Sequence, residues 1–153
     1  NLPVAVGHPE WFYTKFSPGP PDAPPYRRFM KIFYAPAPPA GTPPRYLLLY
    51  GDGLFDNRHL TTAAAKMDAK NYLLTYQCKE SVNETYSYGT DDYFGFLDDN
   101  EGLNLSSDKL DLGIGRLPVS SVEQAENVLQ KTPDLHGQHP PRTLEKHALV
   151  HCR

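Results

Sequence analysis

A chain of 153 residues with a formal charge of −3 is long enough for one domain with a buried core, since domains most often run to about 100–150 residues. Its 15 lysines and arginines are scattered along the chain, which excludes the massed basic footprint of a nucleic-acid or anionic-lipid binder, and no apolar run approaches the roughly 18 residues of a membrane span. Cys78 and Cys152, the two cysteines, make neither a disulfide framework nor a four-ligand zinc site.

The chain begins at Asn1 without a basic-then-apolar signal segment, so the start reads as a cut. Its 16 prolines are about twice the ordinary usage of roughly 5%, and they are unevenly placed. Most fall between Pro18 and Pro44, three more (Pro133, Pro140 and Pro141) crowd the tail, and Arg45 to Leu117 has none. The expectation is therefore a poorly defined segment over 1–25, a folded region over 26–131 and a separate tail over 132–153.

From Tyr26 to Tyr34, Phe29, Met30 and Phe33 recur at helical spacing opposite Arg27, Arg28 and Lys31, which predicts a short amphipathic helix stopped by Pro36. Tyr46 to Tyr50 is a continuous apolar run of strand length ending in the turn Gly51-Asp52-Gly53, the pattern of a strand buried on both faces of a parallel sheet. Tyr72 to Tyr76 reads as a second strand and Leu110 to Ile114 as a third, with Gly113 and Gly115 loosening its end. After Pro118, Ser120-Ser121-Val122-Glu123 has the spacing of a capping box, and Val122, Ala125, Val128 and Leu129 repeat at helical period. That predicts a helix from about Val122 to Lys131, packed on the sheet through Val122, Ala125 and Leu129. Strands alternating with helices give an α/β sandwich, Rossmann-like or caspase-like, with a mainly parallel sheet.

Among chemistry-bearing residues, the densest cluster of oxygen ligands runs from Thr90-Asp91-Asp92 to Asp98-Asp99-Asn100-Glu101. Calcium takes six to eight oxygens, so Asp52, Asp91, Asp92 and Asp98 are the candidate metal ligands. The cluster does not match an EF-hand loop, because Gly102 stands where a ligand belongs, and a solvated loop capped by its own Asp and Asn side chains competes with the metal reading. Gly51-Asp52-Gly53 lies at the carboxyl end of a predicted parallel strand, where α/β sheets place ligands, but no phosphate-binding loop follows it. Of the six histidines, His136, His139, His147 and His151 crowd a proline-rich tail that offers a nucleophile no rigid support. Cys78 follows a strand yet has no histidine near it in sequence, so it reads as a plain thiol. No residue is assigned a catalytic role.

Three blocks in order, Pro44 to Arg58 (PRYLLLYGDGLFDNR), Thr90 to Gly95 (TDDYFG) and Leu110 to Val119 (LDLGIGRLPV), resemble the gingipain-like cysteine peptidases, most closely the sortase of the type IX secretion system. The likeness covers about Tyr26 to Lys131. It implies a caspase-like catalytic domain of two α/β subdomains, of which this segment is an incomplete first one, with the Cys/His dyad on the second. It also implies a secreted enzyme at the outer membrane or cell surface that removes C-terminal sorting signals from cargo proteins alongside other secretion-system components. No cofactor is expected other than calcium in the acidic loops. The family's Gly-His-Gly turn and nucleophile do not occur here, so the fragment is expected to be inactive. The rival reading is a non-catalytic α/β binding module holding a divalent cation in its acidic loops at Asp52 and Asp91.

The tail departs from the family pattern. Back-translated and read one nucleotide later, Thr132 to Arg153 permits Tyr-Met-Asp-Asn-Thr, two free positions, then Gly-Pro-Trp-Lys-Asn-Thr-Leu, which is the continuation the resemblance implies. A frameshift near Thr132 is therefore expected. It carries with it low order from Pro133 to Pro141, at most a short chance helix or strand within Thr143 to Val150, and little loss of stability on deletion after Thr132.

Overall fold

The structure is a computed structural model that describes residues 4–17, 23–35, 43–68, 72–78, 85–104, 106–136 and 147–151. In chain order its strands are β1 (Val4–Gly7), β2 (Tyr46–Tyr50), β3 (Asp52–Leu54), β4 (Tyr72–Leu74), β5 (Tyr76–Gln77), β6 (Gly89–Thr90), β7 (Gly113–Leu117) and β8 (His147–His151), and its helices are α1 (Pro9–Phe16), α2 (Pro24–Tyr34) and α3 (Val122–His136). A main sheet of order β1-β8-β2-β7 is parallel throughout. Beside it are the parallel pair β3-β4 and the antiparallel pair β5-β6. Mixed α/β architecture with a parallel main sheet agrees with the expected fold class.

β2 forms where the apolar run predicts it. Leu47 and Leu49, each 1% exposed, point into the core, while Tyr46 at the strand's start is 43% exposed. The core that they enter is aromatic. Phe12 of α1 lies among Tyr26 and Phe29 of α2, with ring centroids 5.4 and 4.6 Å away, and Phe94 closes the cluster against Tyr26 at 5.5 Å. Burying side chains of this size contributes about 1.5–3 kcal/mol each, so Phe12 anchors α1 to the core, while Tyr26, Phe29 and Met30 anchor α2 more heavily. Pro9 opens α1 at a position where its missing N–H costs nothing. No periodic signal over 1–25 predicted either β1 or α1.

Three expected elements differ in extent. The third strand runs from Gly113 to Leu117 rather than from Leu110 to Ile114, because Asp111 is diverted: its carboxylate accepts the N–H groups of Leu97 and Asp98 at 2.6 and 3.2 Å, and its own N–H goes to the Gly95 carbonyl. Residues 110–112 therefore bend away before the ladder with β2 begins. The stretch Tyr72 to Tyr76 is broken at Thr75 into β4 and β5, which belong to different sheets. The cause is visible at Thr75, whose carbonyl accepts from Asn57 Nδ2 and whose hydroxyl donates to the Leu54 carbonyl. α3 continues to His136, past the expected Lys131, so Pro133 falls within its last turn instead of opening an irregular stretch.

The start of α3 and its packing also depart from expectation. Gln124 N–H donates to Ser121 Oγ at 3.2 Å, and Gln124 Oε1 accepts from the Ser120 N–H and hydroxyl. The cap is thus Ser121 with Gln124, one residue later than the Ser120–Glu123 pair. Val122 and Leu129 are 71% and 60% exposed, while Ala125 and Val128 are the half-buried apolar positions of that face. Tyr50 seats the helix by donating its hydroxyl to the Ala125 carbonyl at 2.7 Å.

β8 lies between β1 and β2 and pairs with both. It falls at the end of the one window of the tail, Thr143 to Val150, that left room for a strand. Pro36, Pro140, Pro141, His139 and Cys152 lie outside the described residues.

Candidate functional site

The carboxyl end of a parallel sheet is where loops gather, and here one side chain organises them. Arg116 leaves β7 and meets the Asp91 carboxylate in a fork, Nε to Oδ2 and Nη2 to Oδ1, both at 2.7 Å. Its Nη1 also donates to the Gly51 carbonyl at 2.9 Å and its Nη2 to the Leu74 carbonyl at 3.2 Å. One guanidinium thereby ties the edge of the main sheet to the β2–β3 turn, the end of β4 and the loop after β6. Paired forks of this kind are the strong form of charged hydrogen bond. The side chains are 13% and 21% exposed, so solvent screens them little.

Nearby, the Asp52 carboxylate accepts the Gly53 N–H at 2.8 Å, and a Cβ added at Gly53 would stand 2.7 Å from Thr75 Cγ2. Side-chain crowding explains the glycine here. Asp56 closes the following loop by accepting the Thr61 N–H at 2.7 Å and the Leu60 N–H at 3.1 Å. These two donors, Thr61 first, hold its carboxyl below the usual carboxylate range. A carboxyl whose folded-state pKa is depressed contributes stability that is present above its unfolded value and fades as the pH falls through the folded one. We expect Asp56→Asn to be less stable than the parent at pH 7 and to converge on it as the pH falls below about 4. A pH series of melting curves reads this, and a gap between the two proteins that does not narrow in acid would refute it.

A second cluster lies beside α2. Arg27 donates to the carbonyls of Phe96, Asp98 and Glu101, and its guanidinium sits 5.5 Å from the Tyr93 ring centroid. Lys31 bonds Asp99 at 2.8 Å. One ligand oxygen from each of Asp98, Glu101 and Asp111 lies within 4.8 Å of the other two. Yet Asp111 already accepts Tyr34 Oη–H, Leu97 N–H and Asp98 N–H, and Glu101 accepts Asp98 N–H. Arg27 and Lys31 of α2 bond the carbonyls of the same loop and the neighbouring Asp99 carboxylate. The Asp111 carboxylate, by accepting a hydrogen bond from the phenol and so holding its proton in place, also pushes Tyr34 above its usual range.

Of the four candidate metal ligands, Asp98 alone belongs to a carboxylate group among the described residues. Asp91 is engaged by Arg116, Asp52 caps a turn, and the Asp92 N–H bonds Thr90 Oγ1 at the head of a 3-10 turn. Cys78 is half-buried; its Sγ lies 3.2 Å from the Tyr86 carbonyl and 3.4 Å from the Tyr88 N. His59, at φ 54°, has its Nδ1 2.6 Å from the Ala64 carbonyl. The Cys78 thiol and the His59 imidazole thus serve backbone groups and not each other. Arg116, Arg27, Asp56 and Asp111, which hold these loops, were not singled out from sequence.

The model of peptidase family C25 matches residues 1–151. No curated protein and no solved structure matches the chain.

Proposed function

Because the chain belongs to peptidase family C25, the gingipain-like cysteine peptidases, we propose that it forms the first α/β subdomain of a secreted endopeptidase of the type IX sortase kind, and that the nucleophile and its base are supplied by residues other than those described. The family match over 1–151 carries this reading. The likeness of its three blocks to that sortase supports the finer assignment: removal of C-terminal sorting signals from cargo proteins, at the outer membrane or cell surface, together with other secretion components. Family membership points to a secreted or cell-surface protein.

In this reading the chain contributes a scaffold. A cysteine nucleophile needs an adjacent general base or a lowered pKa to react at neutral pH, and among the described residues the Cys78 thiol bonds the Tyr86 carbonyl and the Tyr88 N–H. The 153-residue chain, incubated with a panel of peptides and a thiol-reactive peptide probe, is expected to show no turnover and no site-selective labelling. Labelling of Cys78 that disappears when the fold is melted would assign that residue a role and overturn the scaffold reading.

A second reading, a non-catalytic module that holds a divalent cation, has one observation in its favour, the approach of Asp98, Glu101 and Asp111. Against it stand the donors already placed on those carboxylates. Calorimetric titration with calcium alone is expected to show no binding at micromolar strength. A micromolar isotherm that is lost in Asp111→Asn would favour the module.

A further inference from the structure

We draw no further inference here: the strongest candidate, the outward apolar stripe of Val122 and Leu129 on α3, 71% and 60% exposed, has nothing in the structure to show what covers it.

Discussion

Replacing Arg116 by alanine is expected to lower the melting temperature by about 10 °C. The figure follows from two steps. Removing one partner of a fully buried ion pair leaves the other charge uncompensated and costs about 3–5 kcal/mol; the Arg116–Asp91 pair is partly buried, at 13% and 21% exposure, and lies at the lower end. For a chain of this length about 1 kcal/mol corresponds to roughly 2–4 °C. The substitution also strips a donor from the carbonyls of Gly51 and Leu74, and an acceptor left without its donor in a half-buried place adds to the loss. Arg116→Lys should recover only part of it, because an ammonium cannot present the planar fork that meets both Asp91 oxygens. A double-mutant cycle with Asp91→Asn isolates the pair, and a coupling energy of at least about 1 kcal/mol is expected of residues in direct contact. If Arg116→Ala melts within about 3 °C of the parent, the guanidinium is not what joins the loops to the main sheet.

The same residue shows why half of this architecture could be read from sequence and half could not. β2 was legible because everything that defines it is local: five consecutive apolar residues bounded by Arg45 and Gly51. Membership of β2 in a parallel sheet was legible for a related reason, since a continuous apolar run lacks the polar alternation of a strand with one solvated face. Arg116, by contrast, is a single cation between Gly115 and Leu117, and its partners lie 25, 42 and 65 residues away. Nothing in its neighbourhood announces them. Asp111 misleads in the opposite sense. Its place in Leu110-Asp111-Leu112 looks like the polar member of an alternating strand, whereas its carboxylate in fact anchors the loop at Leu97 and Asp98.

The candidate ligands follow the same logic. Asp52, Asp91, Asp92 and Asp98 share residue type and a place in turn-rich segments, and from sequence alone each is a free carboxylate. In the fold they separate according to which donor reaches them first: a guanidinium for Asp91, the next residue's backbone N–H for Asp52. Cation binding is a competition with internal donors, and donors distant in sequence are invisible until the chain is folded. α3 shows a milder form of the effect. Its period is local and visible in sequence, but Tyr50, distant in sequence, holds the Ala125 carbonyl, and Val122 and Leu129 stay outside.

Placing a proline in β8 is expected to be at least as costly as losing Arg116. β8 lies between β1 and β2, in register with Val4 to Gly7 on one side and Tyr46 to Tyr50 on the other. A strand with a neighbour on each side has every backbone N–H aimed at a partner, so a proline there removes a ladder bond and is tolerated essentially only at sheet edges. A proline that interrupts a helix costs about 3 kcal/mol or more; with that as the scale for a central strand, Leu149→Pro should lower the melting temperature by about 10 °C. Deleting residues 137–153 goes further, because it removes the only ladder that joins β1 to β2 among the described residues; a broad, non-cooperative unfolding curve is expected. The frame-shifted reading of the tail forecasts the reverse, since a segment never selected to pack should be dispensable. The two forecasts separate at about 4 °C, the shift that accompanies roughly 1 kcal/mol in a small domain. A deletion that melts cooperatively within that margin of the parent would remove β8 from the sheet, leave β1 and β2 without a common neighbour, and make the nucleotide sequence at codon 132 the next thing to determine.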